Sequence, residues 1–252
     1  MMQARNTAAT GLTAQQQRMD IIAANLANDN TTGYKAARAD FKDALYANMK
    51  DPVDNPEANN LRKGSGVILN ATGRDLSDGA TQTTGRALDF SLSGEGYFVV
   101  QGTDGGRLYT RNGHFSVSPE NGQNYLVDDQ GHYVLSTQGQ RISVTGQGEL
   151  SVRPDGTLLV GTQTVGKLAL MDFSSPQGLS AAGDSCFQET AASGAPAAAQ
   201  NCKVAQGSLE ASNVDLGEEM TLMIRAQRAY SMAGKALQTA DDMDGLANSI
   251  RQ

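Results

Sequence analysis

The chain has 252 residues, 39% of them apolar but only 5% aromatic, with 28 Gly and no Trp. Twenty Lys and Arg against 27 Asp and Glu leave a net charge of −7, which argues against nucleic acid or an anionic membrane as the main partner. No window of 18 consecutive apolar residues is present, so no transmembrane helix is expected. No basic, apolar and small-residue leader pattern precedes the first helix either.

Ala8, Leu12, Gln15, Met19, Ile22 and Leu26 recur at alternating spacings of four and three. This seam predicts an amphipathic helix over about residues 3–28, roughly 40 Å long. Asn28, Asn30 and Gly33 follow, residue types that tolerate the left-handed conformation in which helices end. Ala8 is small and Gln15 interrupts the stripe, so the helix needs neighbours to be stable. Lys50 to Lys63, with Pro52, Pro56 and three Asn, reads as an extended connector.

From residue 88 the hydrophobic period becomes two. Short strands are expected at 88–92, 97–100, 107–110, 114–117, 125–127, 133–135, 142–144, 150–152, 158–160 and 167–171. Turn signals separate them, among them Asp104-Gly105-Gly106, Asn112-Gly113, Asp129-Gln130-Gly131 and Pro154-Asp155-Gly156. Many short strands at this spacing predict a mostly antiparallel β-domain. Ser174 to Gln206, rich in Ala, Ser and Gly, reads as a long loop or weak hairpin. It contains both cysteines, Cys186 and Cys202, whose closure would be worth roughly 3 kcal/mol by chain entropy; two free thiols are the alternative.

The last stretch is the most regular. Leu222, Ala226, Ala229, Ala233, Ala236, Ala240, Met243, Ala247 and Ile250 run unbroken at four-three spacing, beside a second stripe of Leu216, Met220, Met223, Gln227, Tyr230, Gly234 and Leu237. Asn213 or Asp215 is placed to cap this helix, and Glu218 and Glu219 suit its positive end. An alanine stripe lets helices approach closely but buries little area per residue, which suits a helix surrounded on several sides.

No catalytic constellation emerges. His114 and His132 sit at hairpin turns without partner motifs. Ser93-Gly94-Glu95-Gly96 lacks the nucleophile-elbow pattern, and Gly94-Glu95-Gly96 does not extend to a dinucleotide fingerprint. Asp241, Asp242 and Asp244 read as a solvated helix flank. No catalytic residue, cofactor or metal set is therefore assigned, and the chain is read as a non-enzyme.

Three segments carry a resemblance. Asn25-Leu26-Ala27-Asn28 with Thr31, Gly33, Tyr34 and Lys35 resembles the N-terminal signature of bacterial flagellar rod and hook proteins. Leu88 to Val100 and Tyr109-Thr110-Arg111-Asn112-Gly113-His114-Phe115 resemble the start of that family's β-domain. Gly207-Ser208-Leu209-Glu210-Ala211-Ser212-Asn213-Val214 and Gln227-Arg228-Ala229-Tyr230 resemble its C-terminal module. The match runs through nearly the whole chain in the right order.

The resemblance implies a structural subunit of the flagellar rod. Its terminal helices would pair with each other and pack against those of other copies as the wall of a hollow tube, with the β-domain outside. Torque transmission, passage of exported subunits, neighbouring rod and hook proteins, and the flagellar export apparatus follow as expected roles and partners. The expected location is the basal body, reached without a cleaved signal peptide, with no nucleic acid and no membrane insertion. Phe41-Lys42-Asp43-Ala44-Leu45 resembles the pattern that early export substrates use at the gate. Gln227 to Tyr230 and an insertion after Tyr46 favour the distal rod. Ser231, Ala233-Gly234 and a short connector depart from that pattern and keep a proximal rod subunit as the second reading. A hook-type protein, or a secreted β-rich adhesin that oligomerises through its helices, are the remaining alternatives.

The expected fold is thus α+β, with long terminal helices pairing as a coiled-coil-like module around a mostly antiparallel β-domain. The expected segments are 1–49 helical, 50–63 connector, 64–207 β-rich and 208–252 helical. The expected assembly interface comprises Leu12, Met19, Ile22, Leu26, Asn25, Asn28, Gly33, Tyr34, Asn213, Leu222, Ala226, Ala229, Tyr230, Ala233, Ala236, Ala240 and Met243.

Overall fold

The computed structural model describes residues 2–45, 47–48, 62–120, 122–144 and 148–250. The chain forms two compact units. One contains residues 1–27, 37–74 and 215–252; the other contains 28–36 and 75–214. The connector expected over 50–63 lies outside the described residues except for its last two.

The first unit holds both long helices. α1 spans Met2–Ala27 and α2 spans Leu216–Ile250, about 39 and 52 Å of helix. They pack against each other. Arg5 of α1 meets Asp241 and Asp244 near the end of α2, while Asn25 meets Glu219 near its start, so the two run antiparallel. Asp215 caps α2 by accepting the amides of Gly217 (2.8 Å) and Glu218 (3.0 Å) on one carboxylate oxygen. Asn213, the other candidate cap, is used in the second unit.

A two-stranded ribbon completes this unit. β1 (Ala37–Asp43) pairs antiparallel with β4 (Val67–Arg74), and between them β2 (Ala47–Asn48) pairs with β3 (Arg62–Lys63). The expected division placed residues 37–49 in a helical segment and began the β-rich domain at 64. In the structure 67–74 belong with the helices, because they pair with 37–43. One face of α1 meets this ribbon. Thr10 accepts the Val67 amide (3.5 Å), Arg18 lies over the Phe41 ring (5.0 Å to its centroid), and the Asn25 side chain bonds both the N–H and the C=O of Ala37 (2.8 and 2.9 Å). The last is a ladder contact made by a side chain: one amide satisfies both backbone groups at the start of β1.

The second unit is antiparallel β throughout its named strands. β5 (Thr81–Thr83) pairs with β20 (Ser208–Glu210), and β6 (Phe90–Ser93) with β19 (Lys203–Gln206). The main sheet is built on β7 (Tyr97–Gln101), β8 (Arg107–Thr110), β9 (Ser116–Glu120), β10 (Gln123–Val127) and β11 (Tyr133–Val134). β12 (Leu150–Val152), β13 (Thr157–Val160) and β14 (Gln163–Lys167) form a separate three-stranded sheet. β15 (Leu170–Asp172), β16 (Ser180–Gly183), β17 (Cys186–Gln188) and β18 (Ala197–Ala198) join the main sheet, in the order β16-β17-β8-β7-β11-β10-β9 with β15 bridging β7 and β18.

Strand β7 shows why this sheet holds. Its residues 97–100 are all buried, and the period of two sends Phe98 and Val100 into one core with Phe90, Phe115 and Leu126. Tyr97 and Val99 enter a second core with Tyr109, Phe173 and Phe187. A strand buried on both faces needs apolar residues at every position, and Tyr97-Phe98-Val99-Val100 supplies them.

Two expectations are corrected. Residues 142–144 make one isolated bridge, Ser143 to Tyr125, and no strand. The strand expected at 167–171 breaks at Leu168–Ala169, where the chain leaves the three-stranded sheet for the main one. Of the two readings of Ser174 to Gln206, the hairpin is the one found: β16–β17 extends the main sheet beyond β8, and both cysteines are free and buried.

Candidate functional site

The three motif segments meet in the second unit, around a buried ion cluster. Lys35, 1% exposed, is 2.6 Å from Glu210 Oε1 and donates to the Ser77 carbonyl at 2.6 Å. Arg111 reaches Glu210 Oε2 at 3.1 Å, Asp78 at 2.9 Å and the Gly94 carbonyl at 2.7 Å. The Gly79 amide donates to Glu210 Oε1 at 3.0 Å. Two cations thus face two anions, of which only Asp78 is half-exposed. Burial works against the charge of Arg111, but Glu210 and Asp78 outweigh it and hold its pKa above the usual value.

The backbone around the cluster is fixed as tightly. The Gly33 amide donates to the Glu210 carbonyl at 2.9 Å, and Gly33 adopts φ +66°. A Cβ there would lie 2.6 Å from both Arg111 C and Asn112 N, so only Gly fits. Thr32 donates to the Asn112 side chain at 2.7 Å. Asn213 accepts the Ala36 amide (2.8 Å) and donates to the Asp75 carbonyl (2.9 Å). Gly33 and Asn213 are therefore accounted for by contacts of the chain with itself. Asn28 accepts the Thr31 amide (3.1 Å) on its carbonyl as the chain leaves α1, and Tyr34 is half-buried.

The remaining interface candidates lie on the helices. Ile22, Asn25, Ala226 and Ala240 are buried, and Leu12, Met19, Leu26, Leu222, Ala229 and Ala233 are half-buried. Tyr230, Ala236 and Met243 are exposed. Ala247 and Ile250 fall where side chains are not described. Among the described residues, seven of the ten exposed large hydrophobics lie on α2: Leu216, Met220, Ile224, Tyr230, Met232, Met243 and Leu246. The apolar core of this unit is correspondingly lean, with Ala14, Ile22, Ala226 and Ala240 its fully buried members.

Sequence reading missed the ion cluster and the partners of the histidines. His114 lies 2.6 Å from Asp129, and His132 2.8 Å from Asp128. The Cys186 thiol also lies near Asp128, and burial first, then that carboxylate, push its pKa up to about 11. The Asp128 to His132 spacing within one turn was a readable signal; the approach of Cys186 was not. Asp241 and Asp244 pair with Arg5 at an exposed site, where such bridges contribute little.

Comparison with known proteins bears on these three segments directly. The profile described as "Flagella basal body rod protein" matches residues 6–35, "Flagellar hook protein FlgE/F/G D1 domain" matches 91–160, and "Flagellar basal body rod FlgEFG protein C-terminal" matches 205–250. The "Flagellar basal-body rod protein FlgG" of Borreliella burgdorferi is 37% identical over 100% of both chains. The FlgG of Agrobacterium fabrum is 38% identical over 98% of each. The chain belongs to the flagellar basal-body rod protein family. It is a structural subunit of the rod in the flagellar basal body and not an enzyme. A third relative, "Flagellar hook-basal body complex protein FlhP" of Bacillus subtilis, is 33% identical over the full length of both chains. Among the described residues no helix is long and apolar enough to cross a membrane.

Proposed function

We propose that the chain polymerises through its helical unit into the hollow tube of the distal rod, which carries torque to the hook and leaves a channel for exported subunits. Neighbouring rod and hook proteins and the export apparatus are its partners, and the helices pair in coiled-coil fashion in the assembled tube. The observation that carries this reading is the uncovered face of α2. Ala226 and Ala240 of its alanine stripe are buried within the chain, while Leu216, Met220, Ile224, Tyr230, Met232, Met243 and Leu246 face water. Finishing the burial of seven such side chains is worth roughly 5–10 kcal/mol. That is comparable with the 4–15 kcal/mol or so that association costs, so the face supports assembly with several neighbours and little margin.

The interface proper is then Tyr230, Ala236, Met243 and the other exposed apolar residues of α2. Leu12, Met19, Leu26, Leu222, Ala229 and Ala233 complete it from the edges of the helix pair. Asn25, Gly33 and Asn213 serve it by fixing the path of the chain. The distal position rests on Gln227-Arg228-Ala229-Tyr230 and on full-length similarity to proteins named FlgG, with a proximal position as the alternative.

The test is Met232→Glu and Leu246→Glu, at sites 65% and 64% exposed. Monomer stability should stay within about 0.5 kcal/mol, as for ordinary surface changes. Motility should be lost, and basal bodies imaged from the mutants should stop at an incomplete rod. Normal motility in both variants would remove this face from the assembly. A rod that ends before its distal segment in a deletion strain supports the distal position; one absent altogether supports the proximal.

A further inference from the structure

We propose that Asp128, His132 and Cys186 form a binding site for a thiophilic divalent cation, zinc before others. One ligand atom from each lies within 4.8 Å of the other two, and among the described residues this is the one such group of three. Ligands of a tetrahedral zinc sit about 3.4 Å apart when bonds are near 2.0–2.3 Å. A shift of about 1 Å or less therefore closes the site around an ion.

The donor set selects the metal. A thiol and an imidazole beside a single carboxylate suit zinc, whereas calcium and magnesium require a shell of oxygens. One thiolate and one carboxylate balance the charge of the ion, so the buried complex is neutral.

The scaffold is preformed. Asp128 Oδ1 accepts the amides of Gln130 (2.9 Å) and His132 (2.8 Å), which leaves Oδ2 facing His132 Nδ1 at 2.8 Å. Backbone bonds from Asp128 N to His132 O and from Gly131 N to Asp128 O lock the turn between β10 and β11. Cys186 is held opposite Thr110 in the β17–β8 ladder. Such amide contacts orient a ligating carboxylate as outer-shell partners do in metal sites.

A cleft of about 260 Å³, lined by Asp128 and by Ser185 next to Cys186, adjoins the group. A bound ion would pin the 128–132 turn to β17, which the sheet order separates from β11 by β8 and β7. The competing account is an Asp–His pair closing a hairpin beside a core cysteine, with no affinity for metal.

The experiment titrates Co²⁺ into the reduced full-length monomer and reads the thiolate-to-cobalt charge-transfer band. One equivalent should produce the band, Zn²⁺ should displace it, and Zn²⁺ should raise the melting temperature. Cys202→Ser should keep the band, Cys186→Ser should abolish it, and His132→Gln should weaken binding at least about tenfold. A folded wild type without the band, a band that survives Cys186→Ser, or unchanged affinity in His132→Gln would each overturn the proposal. Should Cys186→Ser fail to fold, the half-buried His132→Gln variant decides alone.

Discussion

Replacing Glu210 with Gln removes one charge from the place where three distant segments meet. In the wild type Glu210 accepts Lys35 at 2.6 Å, Gly79 N at 3.0 Å and Arg111 at 3.1 Å. The amide keeps the shape but carries no charge and a single acceptor oxygen, so Lys35 and Arg111 both lose their buried anion and one of them loses its acceptor as well. Asp78 compensates Arg111 only from a half-exposed position. Lys35 keeps the Ser77 carbonyl alone. Stranding a buried cation in this way costs about 3–5 kcal/mol. Against a typical total of about 5–15 kcal/mol, this is a large share of the stability of the β-rich unit. Urea unfolding should show the midpoint fall with an unchanged slope. Lys35→Met added to Glu210→Gln should recover part of the loss, because the stranded charge is removed with it. A loss below about 1 kcal/mol for Glu210→Gln, or a further loss in the double variant, would refute the reasoning.

Gly33→Ala forces a Cβ to within 2.6 Å of backbone atoms at a positive φ, and thermal melts should show a loss of at least about 1–3 kcal/mol in the β-rich unit. Ala240→Leu overpacks a buried position of the alanine stripe of α2; it should cost about 1–3 kcal/mol in the helical unit and abolish motility, while the β-rich unit melts as before. Tyr109 is raised to about 12, by burial first and then by its bond to Glu189, from an ordinary value of 10. Its folded form holds the proton more tightly, so this contribution is intact below pH 10 and lost as pH rises from 10 to 12. The loss is about 2–3 kcal/mol, and urea midpoints of Tyr109→Phe should fall less steeply than wild type across that range.

How much of this was legible in the sequence depended on the kind of signal. The four-three seams placed α1 and α2 to within a residue or two at the ends checked, because helical period is a local property. Tyr97-Phe98-Val99-Val100 could be read as a strand for a similar reason. The β16–β17 hairpin could be read only as the alternative to a loop, because Ala, Ser and Gly carry little strand preference and are ordered here by pairing with β8. β1 and β4 were missed although Ala37–Asp43 alternates: two of its three apolar positions are small Ala, and Val67–Arg74 opens on three consecutive apolar residues; their order comes from each other and from α1. Nothing local marks Lys35, Arg111 and Glu210 as buried, since a charge gives no local sign of burial. Only the fold brings the three together.

The boundary between the two units is crossed by the chain four times, after residues 27, 36, 74 and 214. Synthesis runs from the N-terminus, and both units wait on late segments: the helical unit on α2, the β-rich unit on Glu210. Until those residues exist, Lys35 has no buried anion and α1 has no antiparallel partner. A partly made chain therefore holds neither native unit, and completion of both is confined to one brief interval after residue 210 is in place. The same interleaving means that cutting the chain at any one of these crossings would separate no independent piece, because each unit is threaded through the other's sequence.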